Sequence, residues 1–329
     1  MAGGISGGYG KGGENMSRMY RHRLISMQRV IQLTAAVLFN GYLVGFQKGR
    51  IYTGNSKAIC VPVLNCYSCP GALGACPIGA LQTILGGRHR RIPFYVLGML
   101  MLFGVLLGRA VCGLLCPFGL VQDLLYQIKR FPYWLWRRLG QADERKRENQ
   151  GTNSENRRII WKKLDFYARY FKYAILFVMV ILFPAFAISK TGVNPPYFCQ
   201  YICPAGTLEG GIPGLLMNPG LRAAAGLLWN WKLCILLVIV VASVLIHRPF
   251  CRYLCPLGAF YSLFNRFSFF QMKLDQSKCI GCKACERVCP MAVEVTKNIN
   301  SPECIRCGAC KASCPTKAIE TVVERRRRL

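Results

Sequence analysis

The last eight of the chain's nineteen cysteines repeat one spacing. Cys279, Cys282, Cys285 and Cys289-Pro290 read C-x2-C-x2-C-x3-C-P, and Cys304, Cys307, Cys310 and Cys314-Pro315 read it again. Three thiols on one tight loop can wrap the irons of a cubane. A fourth followed by proline leaves on a short helix and reaches the neighbouring cluster. The spacing therefore assigns Cys279, Cys282, Cys285 and Cys314 to one [4Fe–4S] cluster, and Cys304, Cys307, Cys310 and Cys289 to a second. Gly281 and Gly308 give the loops room to turn. C-x2-C pairs also serve zinc knuckles. Two complete copies, each closed by Cys-Pro, favour the iron–sulfur reading.

The other cysteines are patterned too. Cys76-Pro77-Ile78-Gly79, Cys116-Pro117-Phe118-Gly119, Cys203-Pro204-Ala205-Gly206 and Cys255-Pro256-Leu257-Gly258 are four versions of Cys-Pro-x-Gly. In three of them another cysteine lies four residues earlier: Cys112, Cys199 and Cys251. The first copy has Ala72 there, with Cys66 and Cys69-Pro70 further upstream. Proline is favoured at the first position of a helix, so each of these cysteines is expected at a helix start, facing free backbone N–H groups. Two four-thiol groups follow. One is Cys112, Cys116, Cys251 and Cys255. The other is Cys69, Cys76, Cys199 and Cys203, with Cys66 as a further candidate. Each can hold an iron–sulfur cluster. Plain buried thiols and redox-active disulfides remain alternatives. Cys60 and Cys66 are left over and available to pair as a disulfide, and Cys234 reads as packing.

These groups must be positioned by elements that suit a membrane. Hydrophobic residues make up 53 % of the chain, yet Lys+Arg outnumber Asp+Glu 43 to 14. Four apolar runs, roughly 27–46, 92–111, 171–188 and 223–246, match the ~20 residues needed to span a bilayer. The first follows a Gly-rich, basic stretch and is expected to be retained as an anchor. The segments 1–30, 109–172 and 248–329 hold 34 of the 43 basic residues. The positive-inside rule then puts both termini in the cytoplasm, against the pull of Lys48, Arg50, Lys57, Arg88, Arg90 and Arg91 in the opposite loop. Phe118–Arg138 is amphipathic and suits the headgroup layer. Residues 141–158 read as a charged linker.

The expected architecture is an α-helical membrane protein. Residues 1–26 form a flexible basic tail. Residues 27–268 form four transmembrane helices in two repeats, 27–130 and 171–268, related by a pseudo-twofold axis. Residues 269–329 form a small α+β module closed by pairing of 269–274 with 318–323. Several classes are excluded. Basic charge spread along juxtamembrane flanks fits anionic lipid better than nucleic acid. Three histidines, none paired in a span, give haem b no seat, and Cys-x-x-Cys-His is missing. No GxGxxG or P-loop follows a strand, and no nucleophile–base pair supports a hydrolase.

The combination of four spans, C-x3-C-P after the second and fourth, and a tail of the bacterial two-cluster ferredoxin type resembles the NapH-type membrane polyferredoxins. These are related to the membrane part of NosR and to YccM. The resemblance covers roughly residues 27–320. It implies an electron-transfer subunit of a membrane redox complex, working between the quinone pool, cytoplasmic carriers and partners on the outer side. The extra cysteines at 66–76, 199 and 203 depart from the simplest members and favour conduction across the membrane over quinol oxidation. The expected donor or acceptor on the basic cytoplasmic side is a ferredoxin or flavodoxin. Two rival readings stand beside this one: a quinol dehydrogenase subunit with a quinone pocket, feeding a periplasmic reductase, and a redox sensor or metallocentre-assembly factor.

Overall fold

A computed structural model describes residues 27–88, 92–139, 164–187 and 193–323. The expected basic tail, the charged linker and the run Arg325–Arg328 lie outside the described residues. Apolar helices form over each of the four runs, at Met27–Phe39, Phe94–Leu107, Leu164–Phe186 and Leu227–Leu245, the third starting seven residues ahead of its run. The last two are long and apolar enough to cross a membrane. In each, 17 % of the most apolar stretch is buried, so these helices turn much of their apolar surface outward.

The first two helices are shorter than the sequence runs that encode them. At ~1.5 Å per residue they reach only about 20 Å. Each stops for a local reason. The first gives way to a turn at Asn40–Gly41, where Leu73 donates its N–H to the Phe39 carbonyl. The second ends at Gly108, whose φ of +54° is a left-handed conformation that glycine adopts at little cost. A Cβ on Gly108 would also stand 2.9 Å from Asn265 Oδ1.

Each of the four Cys-Pro-x-Gly copies converts a loop into a helix. Cys76 and Cys255 have extended backbone and cap Pro77–Leu85 and Pro256–Phe264. Cys116 precedes Pro117–Leu139. After Cys203 the chain passes into a π-helical stretch, Gly206–Gly211, and on to Ile212–Met217. The upstream cysteines Cys112, Cys199 and Cys251 each sit in a five-residue helix: Ala110–Leu114, Tyr197–Tyr201 and Pro249–Tyr253. These short helices bring seven thiols (Cys60, Cys76, Cys112, Cys116, Cys203, Cys251 and Cys255) into one core with Val63, Ile78, Phe118, Phe198 and Phe250.

The tail is closed by an antiparallel pair, β1 Phe270–Leu274 and β2 Ile319–Val323, with Phe270 opposite Val323 and Leu274 opposite Ile319. Between the strands lie the two cysteine loops and a second core of Met272, Met291, Val293, Val295, Ile305 and Ile319. The Phe269 N–H donates to the Val105 carbonyl at 2.8 Å, which ties the start of the tail to the Phe94–Leu107 helix.

Candidate iron–sulfur sites

The tail repeats one backbone conformation as faithfully as it repeats its cysteines. Left-handed residues occur two positions after the first cysteine (Gly281, Arg306), one after the second (Lys283, Gly308) and three after the fourth (Ala292, Lys317). These turns aim amides at the thiols. Val293 N–H points to Cys289 Sγ at 3.4 Å, and Ala318 N–H to Cys314 Sγ at 3.3 Å. Cys304, Cys307 and Cys310 each feel the thiol of Cys289, from the other copy of the motif. All four line one cavity with Met291 and Ile299. A cradle walled by four thiols fits a cubane. Burial pushes the Cys307 thiol up to about 12, so it is a neutral thiol unless iron takes the thiolate. The other loop is open: Cys282 is exposed and Ile280 is 65 % exposed.

In the helical part the structure brings together Cys112, Cys116, Cys251 and Cys255, here the tail-side group. Cys255 feels the other three thiols, and all four are buried. Burial pushes each of them up, while Arg109, Arg248 and Lys172 draw Cys112 back down. Amide donors are already in place. Gly258 N–H reaches Cys255 Sγ at 3.3 Å, and Gln122 Nε2 reaches Cys251 Sγ at 3.2 Å. Buried thiols with N–H donors and cations around them suit an anionic cluster.

The second, distal group departs from the expected set. Cys203 feels Cys199, Cys66 and Cys76, and Cys199 feels Cys76 and Cys66. A Cβ on Gly206 would lie 3.7 Å from Cys66 Sγ and 3.8 Å from Cys203 Sγ. The structure thus groups Cys66 with Cys76, Cys199 and Cys203. Cys69 instead turns its Sγ toward Asn40 Oδ1 at 3.7 Å. The Cys69 N–H bonds the Cys66 carbonyl, and the Cys66 thiol feels Cys69 as well as Cys76. Cys60 and Cys66 are free thiols, not a disulfide, and Cys234 is exposed on its helix rather than packed. Among the described residues no three His, Cys, Asp or Glu side chains converge as a single-ion site requires. The thiol groups are wider constellations.

Sequence reasoning missed the residues that hold these groups. Six residues after Cys76 and Cys116 stand Gln82 and Gln122, which make the same three bonds. Gln82 donates to Cys199 Sγ (3.4 Å) and the Ile78 carbonyl and accepts from Phe198 N–H. Gln122 donates to Cys251 Sγ and the Phe118 carbonyl and accepts from Phe250 N–H. At the same offset in the third copy, Glu209 accepts the Cys66 N–H at 2.8 Å, and burial pushes its carboxyl up to about 7. In the fourth copy Tyr261, fully buried, donates to the Pro62 carbonyl and lies within electrostatic range of Cys112, Cys116 and Cys255 on one side and Cys76 on the other. The signal was present as a polar residue recurring six positions after each Cys-Pro-x-Gly cysteine.

The tail seats its second cysteine loop directly on the tail-side group. A Cβ on Gly113 would fall 2.2 Å from the Ile305 carbonyl oxygen. Asn265 Nδ2 donates to the Ser301 and Cys304 carbonyls, and Arg306 donates to the Leu107 and Asn265 carbonyls. Glu303 bridges the buried Arg109 and Lys172. Burial pushes its carboxyl up, but the two cations outweigh this and leave it below the usual range.

Comparison with known proteins agrees with the arrangement. A 4Fe-4S binding domain model matches residues 74–95, 93–139, 174–215 and 228–275, so each Cys-Pro copy falls within one match. A 4Fe-4S dicluster domain model matches residues 271–315. Two uncharacterized proteins of Methanocaldococcus jannaschii are 29 % and 30 % identical, over 59 % and 61 % of this chain and 56 % and 67 % of their own lengths. The methylamine utilization ferredoxin-type protein MauN of Paracoccus denitrificans is 27 % identical over 85 % of this chain and 82 % of its own. The ferredoxin-type protein NapH of Haemophilus influenzae is 25 % identical over 83 % and 77 %. No solved structure matches the chain. Four 4Fe-4S segments, a two-cluster tail and ferredoxin-type relatives along most of its length together mean that this chain belongs to the NapH-type polyferredoxins, electron-transfer proteins with several [4Fe–4S] clusters.

Proposed function

We propose that the protein is a membrane-embedded electron-transfer subunit that carries charge from a cytoplasmic one-electron donor, through the tail, into and across the membrane part. The observation that carries this reading is the seating of the 304–310 loop on the Cys112–Cys116 loop, with the distal group in the same core beyond Tyr261. The order is then the exposed Cys279, Cys282, Cys285 and Cys314 group, the Cys289, Cys304, Cys307 and Cys310 group, the tail-side group, and the distal group of Cys66, Cys76, Cys199 and Cys203. Clusters bound there supply one-electron transfer. The chain's own work is to fix the thiols, surround them with N–H donors and exclude water. Lys273, Lys278 and Lys283 around the exposed loop suit an acidic ferredoxin or flavodoxin. The outward apolar faces of the four helices favour a bilayer, with the cytoplasmic membrane and cytoplasmic termini following from the charge distribution. The two shorter helices complete four crossings in this reading, with their neighbouring loops and the amphipathic Pro117–Leu139 helix covering the remaining depth.

Iron and acid-labile sulfide in anaerobically purified protein test the proposal. About eight irons per chain correspond to the tail alone, and about sixteen to four cubanes. A content of eight, with the membrane thiols unmetallated, refutes conduction and leaves a tethered ferredoxin. One observation favours a second reading, quinol oxidation. A cavity of about 440 Å³ lies between the tail and the membrane part, bordered by Cys289 and Cys307. Into it face Gln32, whose Oε1 has no partner, and His247, whose Nδ1 has none while its Nε2 meets Asp123 at 3.1 Å. Bound quinone, or a quinone-site inhibitor competing there, discriminates the two.

A further inference from the structure

Two arginines stand in matching places in the two halves. Arg109 lies three residues before Cys112, and Arg248 three residues before Cys251. Both are fully buried, and each crosses to the opposite half. Arg109 Nη2 donates to the Cys251 carbonyl at 3.0 Å, and Arg248 Nη1 to the Cys112 carbonyl at 2.6 Å. Each is held by an acid, Glu303 next to Cys304 in the tail for Arg109 and Asp123 for Arg248. Small residues let them approach. A Cβ on Gly258 would come 3.6 Å from Arg109 Nη2, and one on Gly119 would come 3.3 Å from Arg248 Nη1.

The same arginines face the tail. Arg109 Nη1 donates to the Pro302 carbonyl at 2.8 Å, beside Cys304, and the Cys304 thiol feels its charge. The Cys307 thiol feels Arg248. Each guanidinium is therefore sandwiched between two four-thiol groups. The distal group has no such pair. Its Cys199 loop carries Pro196 at the matching position, and its charged neighbours are the buried acid Glu209, the buried Lys57 beside Cys66, and Lys232, whose Nζ donates to the Cys199 carbonyl.

We propose that Arg109 and Arg248 form a shared layer of positive charge between the Cys289/Cys304/Cys307/Cys310 centre and the tail-side centre, and that they set the reduction potentials of both together. The proposal rests on cluster binding at the tail-side thiols. The physical reason is that reduction adds one negative charge to a centre. A permanent cation buried beside it stabilises the reduced form, and a low dielectric strengthens that effect. Because one guanidinium serves two centres, their potentials move in the same direction and the step between them stays nearly level. An electron then leaves one centre and arrives at the other with little change in energy, and no movement of the tail is required. The distal centre lacks this arginine pair and is set apart. Arg109 and Arg248 are positioning residues: they act on the centres through space and through the carbonyls they hold.

The test is a reductive titration of full-length protein followed by EPR, with a low-potential one-electron donor as reductant. Arg248→Gln is expected to lower the potentials of both the Cys289/Cys304/Cys307/Cys310 and tail-side centres. The expected size is at least tenfold in the one-electron equilibrium, or 59 mV. The Cys279/Cys282/Cys285/Cys314 centre should stay in place, and Arg248→Lys should recover part of the shift. A shift in only one of the two centres, in neither, or equally in all refutes the proposal. Should Arg248→Gln lose its clusters, Asp123→Asn is the second variant. It removes the carboxylate that offsets Arg248 and is expected to raise both potentials; unchanged or falling values overturn the proposal. An unmodified protein without a tail-side signal would instead refute the ligand assignment itself, so the two failures are told apart.

Discussion

Glu303 offers a direct test of how the tail is fastened. Its carboxylate lies between the Arg109 guanidinium at 2.8 Å and the Lys172 ammonium. The two cationic side chains are 0 % exposed and the Glu303 side chain is 10 % exposed. Glu303→Gln preserves shape and one hydrogen-bond acceptor but leaves two buried cations without their counter-charge. Breaking a buried ion pair by removing one partner costs about 3–5 kcal/mol. At 1.4 kcal/mol per tenfold, the opening of the docked loop should rise by about a hundredfold to a few thousandfold. Hydrogen exchange of the amides of residues 301–308 in full-length protein measures this. Glu294→Gln serves as control: its pair with Lys297 is exposed on both sides and screened by water, so protection there is expected to be unchanged. If Glu303→Gln keeps protection within threefold of the unmodified protein, the ion triad is not what holds the tail on the helical part.

Three further outcomes are expected. Cys66→Ala should remove about four irons per chain, one cubane's content, whereas Cys69→Ala should retain them; iron analysis of the two variants decides which cysteine completes the distal group. Gly113→Ala places a methyl where the Ile305 carbonyl already lies. It should release the 301–308 amides to rapid exchange while the helix content measured by circular dichroism is kept. Burial pushes Asp123 up, but Arg248 and His247 hold it well below the ordinary carboxylate range. Its contribution is therefore fully present above the unfolded pKa of about 3.9 and is lost as pH falls through the folded value. The stability gap between the unmodified protein and Asp123→Asn should be constant above pH of about 5 and close on acidification. A gap that widens in acid contradicts the pairing.

The tail was the most legible part. Its cysteine spacing and the left-handed Gly281 and Gly308 are local features, iron ligation by closely spaced thiols is written in intervals of two and three residues, and the β1–β2 pairing closes over the short segment between the strands. The helix starts were legible for the same reason, since a proline after each cysteine acts on its own turn. The four apolar runs also appear as helices. Their lengths were not legible, because the ends at Asn40 and Gly108 are set by contacts with Leu73 and Asn265, which are distant in sequence.

By itself the sequence determined which residue types can hold iron, where helices begin and which stretches are too apolar for water. Composition and short-range geometry suffice for that. Only the tertiary structure decided that Cys66 lies beside Cys76, Cys199 and Cys203, that Gln82 and Gln122 reach sulfurs in the other half, and that Arg109 and Arg248 cross between halves and face the tail. Each of these depends on two segments more than a hundred residues apart meeting in a water-excluded core. There a hydrogen bond or a charge gains its strength from burial, and burial is a property of the packed molecule and not of any one stretch of chain.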